Sequence, residues 1–518
     1  MNGHAATRRS LSREENMGLL EEKPLSETDS EVSTVDVDRR FKLPRLVSLL
    51  TVPFVYLRTI RWGGLALRLL IFLLPSFLQG RHAREQIRPA KLGPTAYLDG
   101  MRGLAALFVY FCHYSYQAFT IAQGWGAGES NYHILKLPFL RLWYQGPAAV
   151  CVFFVISGYA LCYKPLKLAR SRNLESFSTT LGSLVFRRWF RLFLPPIIST
   201  FSIFCLLRLG AFESTRAFAT DRTYHKNIME KHPKRWENGY DQFWDWFWQM
   251  FRFIHVWDWA PHGGSTSYDV HLWTIPIEYR CSLYLFLVLM ATVRLQTRFR
   301  LLTVLTVAWF TYRNSRWEFT LFLGGLVIAE LDHIRGAHNP TPTLPLEEKQ
   351  TRGSFPRLKA LFWNLVSILA LYLLGQPDAR GAETPGWVWL TSLIPSWWGE
   401  EHYRYWQGVG AVLFIVAVAR SSSWQRFFNT AVVQYFGKIS YAIYLMHGPV
   451  MHVLGYRWEA WAYSITGVEG NNYKYGFFLG AVFAVPTVIW VSDIFWRAVD
   501  IPTVKFARWF ESKLVQKD

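Results

Sequence analysis

Residues 98–114 read LDGMRGLAALFVYFCHY, an apolar run that carries two ionisable side chains, Arg102 and His113. Eleven residues at 100° each make three turns plus about 20°, so a helix places both side chains on one face, roughly 16 Å apart. Ionisable residues are costly inside a bilayer, where they usually line a cavity or a reaction path. The stretch therefore predicts a membrane helix with one functional face.

The composition of the whole chain also fits a membrane protein. Of its 518 residues, 51% are hydrophobic and 17% aromatic, which is more apolar material than one soluble core uses. Taking about 20 residues as one span predicts an all-α, polytopic membrane helical bundle of about ten transmembrane helices. The predicted spans lie near residues 97–117, 147–164, 190–210, 272–292, 299–312, 317–331, 358–375, 405–420, 432–456 and 475–499.

Four segments organise the chain. Residues 1–45 are polar and lack apolar periodicity, which predicts a disordered cytoplasmic tail. Residues 46–90 are apolar with basic flanks, which favours a helix in the cytoplasmic interface; an eleventh spanning helix at 62–79 is the alternative. Residues 91–505 form the membrane domain, and residues 506–518 a cytoplasmic tail.

Charge predicts the orientation of the bundle. Lys and Arg in short loops favour the cytoplasmic side, and basic connections at 164–191, 293–300, 332–358 and 420–427 alternate with connections that are sparser or mixed in charge, of which the very short 313–316 carries two arginines. Both termini are therefore expected in the cytoplasm, and the 211–271 loop on the other side. We expect an integral, multi-pass protein of an endomembrane or the plasma membrane.

The net charge of +19 does not by itself indicate nucleic acid. The basic residues flank membrane segments instead of forming one compact face, so membrane lipids and an anionic cytosolic ligand are the expected partners, with no nucleic acid. All five cysteines fall in predicted spans and lack metal-ligand spacing, so they are interpreted as packing residues. No metal is expected.

The first span carries the main catalytic candidate. Asp99 lies three residues before Arg102, a spacing at which helical side chains meet, so the two charges can partly neutralise each other. An uncharged His113 could act as a general base towards a hydroxyl group, because its ordinary pKa is near 6.5. A structural histidine bonded to a neighbouring helix is an equally good interpretation.

The fourth span, in the stretch HLWTIPIEYR, adds Glu278. The predicted topology puts Glu278 at a depth similar to that of His113, where a carboxylate could fix the imidazole tautomer and stabilise its protonated form. The alternative is that Glu278 pairs with Arg280 or with another helix for stability alone.

The third span begins with FRRWFRLFLPP, which contains Arg187, Arg188 and Arg191. Such clusters usually anchor a helix on the cytoplasmic side. However, Arg102 lies on the same predicted side, and guanidinium groups suit phosphate. Together these arginines could hold a polyanionic cofactor.

Two further spans carry supporting candidates, and one loop is unusually aromatic. Ser157 lies mid-span beside a glycine, where helix packing is favoured over a nucleophile. His447 precedes a Gly-Pro kink, and either lines the same cavity or bonds to carbonyls freed at the kink. Residues 240–259 are rich in Trp and Phe, which favours membrane-interface anchoring over a lid.

Six blocks now stand in order along the chain: LDGMRGLAALFVYFCHY, FFVISGYAL, FRRWFRLFLPP, LWTIPIEYR, FLGGLVIAEL and FGKISYAIYLMHGP. This series resembles the acyltransferase 3 family of integral membrane acyltransferases, and looks most like its fungal branch. Members move an acyl group, most often acetyl, from cytosolic acyl-CoA to a hydroxyl of a sugar, polysaccharide, lipid or small molecule. The resemblance implies that residues 91–505 are a membrane acyltransferase domain that uses acyl-CoA, typically acetyl-CoA, as its donor.

The resemblance also implies residue roles. His113 corresponds to the family's catalytic histidine, Arg102 completes its Arg-x10-His pattern, and Glu278 corresponds to its membrane carboxylate. The arginines implied for the donor-binding region are Arg187, Arg188 and Arg191. Bacterial members often continue with Glu-Gln where this chain has Tyr279 and Arg280, so acceptors inferred from bacterial polysaccharides do not carry over.

A proton-coupled membrane transporter of a small solute is the alternative function. Transporters also bury His, Glu and Arg among many helices, but their usual signature is two similar halves with paired broken helices. The sequence shows no such symmetry. Release of CoA that depends on an acceptor would separate the enzyme from a transporter.

Overall fold

The structure is a computed structural model that describes residues 62–79, 92–129, 131–257, 264–337, 356–399 and 401–515. The predicted tail at 1–45 lies outside these residues, as does most of the 46–90 segment. The chain divides into two units, Met1–Ala96 and Tyr97–Asp518.

The described part of the first unit contains helix α1 (Trp62–Leu73), followed by a 3₁₀ turn at Ser76–Leu78. Twelve residues rise about 18 Å, which is shorter than the roughly 30 Å hydrocarbon core of a bilayer. Leu67, Leu69 and Leu70 are exposed. An interfacial position for this helix stays a prediction.

The second unit is helical at all ten predicted segments, and its described residues contain no strand beyond one isolated bridge between Gln123 and Ala379. The helices, the first of which begins at Ala96, are α2 (Ala96–Ala118), α3 (Gly146–Arg170), α4 (Leu174–Arg208), α5 (Glu213–Ala219), α6 (Gly239–Ile254), α7 (Thr274–Thr292), α8 (Thr297–Arg313), α9 (Trp317–Arg335), α10 (Pro356–Leu374), α11 (Val388–Ser392), α12 (Arg404–Val418), α13 (Ser422–Phe428), α14 (Ala431–Val450), α15 (Tyr456–Thr466), α16 (Gly470–Phe495) and α17 (Ile501–Leu514).

Several of these helices are long and apolar enough to cross a membrane. Within the described residues, five helical stretches meet this condition: Gly146–Arg170, Leu174–Arg208, Val270–Thr292, Arg357–Leu374 and Gly470–Leu514. The predicted class of an all-α helical membrane protein is therefore confirmed. The count of ten spans stays a prediction.

Glycines allow two pairs of helices to cross with their backbones in contact. A Cβ atom on Gly103 would lie 2.3 Å from the backbone nitrogen of Gly437, and one on Gly158 would lie 2.2 Å from the carbonyl oxygen of Phe322. No larger side chain fits there without moving a backbone, so α2 touches α14, and α3 touches α9, backbone to backbone. The packing interpretation of the small residues in α3 is thus supported at Gly158.

Helices α2 and α14 run in the same direction. Gly103 faces Gly437 near their starts, and Gln117 Nε2 reaches Met451 Sδ at 3.6 Å just beyond the end of α14. Helix α4 follows the same direction, because Tyr441 donates to the carbonyl of Leu192, and farther along both helices Ser199 donates to the carbonyl of Leu445. All three helices therefore lead from one end of the bundle to the other.

Helix α7 runs the opposite way. It is preceded by a 3₁₀ turn at Val270–Trp273, whose His271 lies beside His113 near the far end of α2. Farther along α7, Glu278 reaches Arg188 near the middle of α4. Helices α2, α4, α7 and α14 thus position two groups of side chains, one of histidines and one of arginines, towards opposite ends of the bundle.

Candidate active site

Helices α2 and α14 and the 3₁₀ turn before α7 bring together three histidines, which we call the His cluster (His113, His271 and His447). The ring centroid of His113 lies 4.2 Å from that of His271 and 5.2 Å from that of His447, and the last two are 4.7 Å apart. His271 and His447 are buried, and His113 is partly buried. The sequence candidates His113 and His447 therefore share one site, to which His271 is added.

A loop carboxylate, Glu230, reaches into this cluster. Its Oε1 lies 2.9 Å from His271 Nε2 and 4.0 Å from His113 Nδ1. Its Oε2 lies 2.9 Å from His452 Nε2 and accepts a hydrogen bond from Gln117 at 3.4 Å. Burial raises the pKa of Glu230, but His271 and His452 outweigh burial and hold it well below its ordinary range. Glu230 is therefore an ionised, fixed neighbour of His113.

Asp269 holds the other side of His271. Its Oδ1 lies 2.8 Å from His271 Nδ1 and accepts a hydrogen bond from the His271 backbone nitrogen at 3.0 Å. A Cβ atom on Gly448 would lie 2.7 Å from the same ring nitrogen. The glycine that follows His447 therefore leaves room for the His271 ring.

The two ring nitrogens of His447 differ in their hydrogen bonding. Its Nδ1 lies 3.0 Å from the carbonyl oxygen of Ile443, an acceptor, so Nδ1 carries the proton. Its Nε2 is buried and has no hydrogen-bond partner in the described part of the chain, and the same holds for Nδ1 of His113. The carbonyl bond agrees with one sequence interpretation of His447, and its ring also lies beside that of His113. That the two line a common cavity stays a prediction.

The His cluster fits proton transfer better than metal binding. One nitrogen from each ring lies within 4.8 Å of the others, a spacing that three metal ligands can have. However, both nitrogens of His271 already face carboxylate oxygens at hydrogen-bond distance. A metal would require His271 to give up one of these contacts.

The arginines gather towards the other end of the same helices; we call Arg102, Arg187, Arg188 and Arg191 the Arg end. Arg102 Nε donates to Ser440 Oγ at 3.1 Å, and its Nη2 lies 3.5 Å from Asp99 Oδ1, the predicted pair. Arg102 and Arg191 both interact electrostatically with Asp500. Arg187 pairs with Glu511 of α17 at 3.0 Å, so part of the predicted 506–518 tail packs on α4.

The structure corrects the predicted position of Glu278. Arg188 Nη2 donates to Glu278 at 2.8 Å, and the Ser157 hydroxyl donates to it at 3.1 Å. Glu278 lies seven residues beyond His271, which is about 10 Å along a helix. It therefore belongs with the arginines, as the alternative of pairing with another helix anticipated, and Glu230 is the carboxylate beside His113.

Sequence reasoning missed four members of the site: Glu230, Asp269, His271 and His452. His271 stood in the quoted stretch HLWTIPIEYR, two residues after Asp269, and this close acid and histidine at the start of a span was an available signal. Glu230 lies in a loop without periodicity, and His452 lies in a π-helical turn at Met451–Gly455. No local pattern identifies these two.

Comparisons with known proteins identify the family of the chain. The profile of an acyltransferase domain matches residues 95–497. The chain is 31% identical to the O-acetyltransferase PaAT-1 of Phomopsis amygdali, over 86% of this chain and 89% of that protein. It is 24% identical to acyltransferase R4 of Phoma sp. (strain ATCC 20986 / MF5453), over 80% and 96% of the two chains.

A third fungal relative is acyltransferase clz18 of Cochliobolus lunatus, 26% identical over 79% of this chain and 94% of that protein. No solved structure matches the chain significantly. The domain match covers most of the chain, including both the Arg end and the His cluster. The chain therefore belongs to this family of acyltransferases, as the six sequence blocks indicated, and it is an acyltransferase enzyme.

Proposed function

We propose that this acyltransferase moves an acetyl group from acetyl-CoA to a hydroxyl group of a sugar, polysaccharide, lipid or small molecule. The observation that carries the proposal is that two parallel, touching helices, α2 and α14, join the Arg end to the His cluster. Arg102 and His113 are roughly 16 Å apart along α2, a distance that the pantetheine arm of CoA can span. The name of the Phomopsis relative supports acetyl as the group transferred.

The Arg end is the proposed donor site. Guanidinium groups bind phosphate through paired hydrogen bonds, and CoA carries several phosphate oxygens. Arg102, Arg187 and Arg188 already contact Asp99, Glu511 and Glu278. Donor phosphates would join or replace these carboxylates. We place this end on the cytosolic side, because the connections predicted to be cytosolic are basic, and most of those that alternate with them are sparser in basic residues.

The His cluster is the proposed place of reaction. His113 removes the proton of the acceptor hydroxyl while the oxygen attacks the thioester carbonyl carbon. The carbon–sulfur bond then breaks, and the protonated His113 returns its proton to the CoA thiolate. Glu230 stabilises the imidazolium form of His113 between these two steps. The products are the acetyl ester and free CoA.

Purified protein and labelled acetyl-CoA test the proposal. We expect CoA release that depends on an added acceptor extract, with the label recovered in an ester. His113→Ala should remain folded and lose acetyl transfer, whereas His333→Ala, on α9 and bonded to the Tyr163 carbonyl, should retain it. Turnover like wild type in His113→Ala contradicts the proposed base. Solute flux without CoA release would favour a transporter.

A further inference from the structure

The protonation state of His271 follows from its two neighbours. Its Nδ1 lies 2.8 Å from Asp269 Oδ1, and its Nε2 lies 2.9 Å from Glu230 Oε1. An ionised carboxylate only accepts hydrogen bonds, so each contact requires a proton on the ring nitrogen. Two such contacts require a proton on both nitrogens, which is the cationic imidazolium form of histidine.

The competing arrangement places a proton on one of the carboxyl groups. Glu230 is a poor candidate, because Gln117 Nε2 and His452 Nε2 also converge on its Oε2. Asp269 Oδ1 accepts a backbone N–H in addition to the ring contact. Donors directed at a carboxylate favour its ionised form. The proton therefore belongs on His271.

We propose that His271 is a permanently protonated positioning residue that sets the charge beside His113. This rests on the proposed role of His113 as the base. Asp269 and Glu230 carry two negative charges and His271 one positive charge, so the group has a net charge of −1. The His271 cation makes the electrostatic potential at His113 less negative. It also holds Glu230, whose Oε1 lies 4.0 Å from His113 Nδ1.

The surroundings of His113 make this charge effective. His271 faces it from the 3₁₀ turn before α7, His447 from α14 and Glu230 from the loop before α6, while Tyr116 contacts it from α2 itself. His452 and Asp269 act through their contacts with Glu230 and His271. His271 is the member of this set that lies between two carboxylates, so its replacement by a neutral residue leaves both of them without their cation.

The positive charge of His271 predicts the direction in which the pH profile of activity moves when His271 is replaced. His271→Asn leaves Asp269 and Glu230 uncompensated at −2, so His113 binds a proton more readily and is less often available as a base. The acidic limb of the pH profile of kcat/KM should move to higher pH by roughly 1 to 3 units. Glu230→Gln removes a negative charge, and should lower activity without moving that limb upward.

Wild-type, His271→Asn, Glu230→Gln and the control His333→Asn should be compared in the same membrane mimetic, with thermal stability measured for each. A histidine that only supports the fold would change the amount of active enzyme and leave the pH profile in place. An unmoved acidic limb in folded His271→Asn overturns the proposal, as does an equal upward shift in the control.

Nitrogen NMR of histidine-labelled wild-type protein gives a second test that needs no activity. At about pH 8.5, ordinary histidines are neutral, because their pKa is about 6.5. We expect one doubly protonated ring to persist there and to be absent from His271→Asn. A wild-type spectrum without such a ring overturns the proposal. If the ring is present but no acetyl transfer is found, the charge assignment stands and the proposed function fails.

Discussion

At the scale of single residues, Glu230 and Glu278 lie at different ends of the site, so their replacement should affect different kinetic parameters. Glu230 lies beside His113 and His271, so Glu230→Gln should lower kcat on the order of 100-fold while the KM for acetyl-CoA stays near wild type. Glu278 balances Arg188, so Glu278→Gln should act mainly on the KM for acetyl-CoA. Steady-state kinetics at varied donor concentration distinguishes the two. Identical kinetic changes in both variants would contradict the division.

Residue-level prediction worked where partners are close in sequence or share a helix face. The Asp99–Arg102 pair is three residues apart and was predicted from spacing. His113 and His447 were both recognised as unusual polar residues in apolar spans, and they meet in one cluster. Glu278 was misplaced because the distance from a helix end does not fix which residues of two neighbouring helices face each other, and His271 is the residue that lies beside His113. A shift of two turns moves a side chain by about 10 Å, from one partner to another.

At the scale of helices, the α2–α14 contact depends on two glycines, Gly103 and Gly437, which have no side chain to keep the backbones apart. Gly103→Ala places a methyl group 2.3 Å from the backbone of Gly437, so the helices must separate and the Arg102–Ser440 contact is strained. We expect a loss of about 1 to 3 kcal/mol, seen as a lower melting temperature, with reduced activity. Gly182→Ala in α4 is the matched control. Its Cβ meets nothing within 4 Å, so it should keep or raise stability. Equal melting temperatures would contradict backbone contact.

Helix existence was predictable from apolar runs, since all ten predicted segments are helical. The aromatic loop was less determined: residues 239–254 form α6, whose exposed side chains include Tyr240, Trp248 and Phe251 while Met250 and Phe253 are buried. Such an aromatic, two-faced helix fits membrane-interface anchoring, which stays a prediction. The richness in Trp and Phe indicated an interfacial segment, but it did not reveal which side chains are buried or which neighbours cover them.

At the scale of the whole molecule, charge alternation predicted the relative directions of the helices, and α7 does run against α2, α4 and α14. The compartments on each side stay predictions. Assembly of the site was not predictable, because Glu230 comes from a loop and reaches residues more than 200 positions away, such as His452. Hydrophobic patterning places helices in a bilayer, whereas contacts of this kind depend on how a loop folds back over them.

Acid should loosen the loop that supplies Glu230. Burial and the neighbouring His452 lower the pKa of His225 to about 4 and that of His232 to about 3. Both stay neutral in the folded loop but bind protons in the unfolded chain below about pH 6.5, so their stabilising effect is complete above that pH and is lost as pH falls towards 4. Near pH 5 we expect each to cost roughly 1 to 2 kcal/mol.

Melting temperatures at about pH 7.5 and about pH 5 measure this effect, because the two values bracket the titration of histidine in an unfolded chain. The lowered pKa of Glu230 acts only below its ordinary value, so the histidines dominate in this interval. His232→Phe keeps an aromatic ring against Phe212 and removes the ionisable nitrogens. It should lose less stability than wild type on acidification. The same loss in both proteins would mean that protonation elsewhere controls the acid response, and that the buried loop histidines do not.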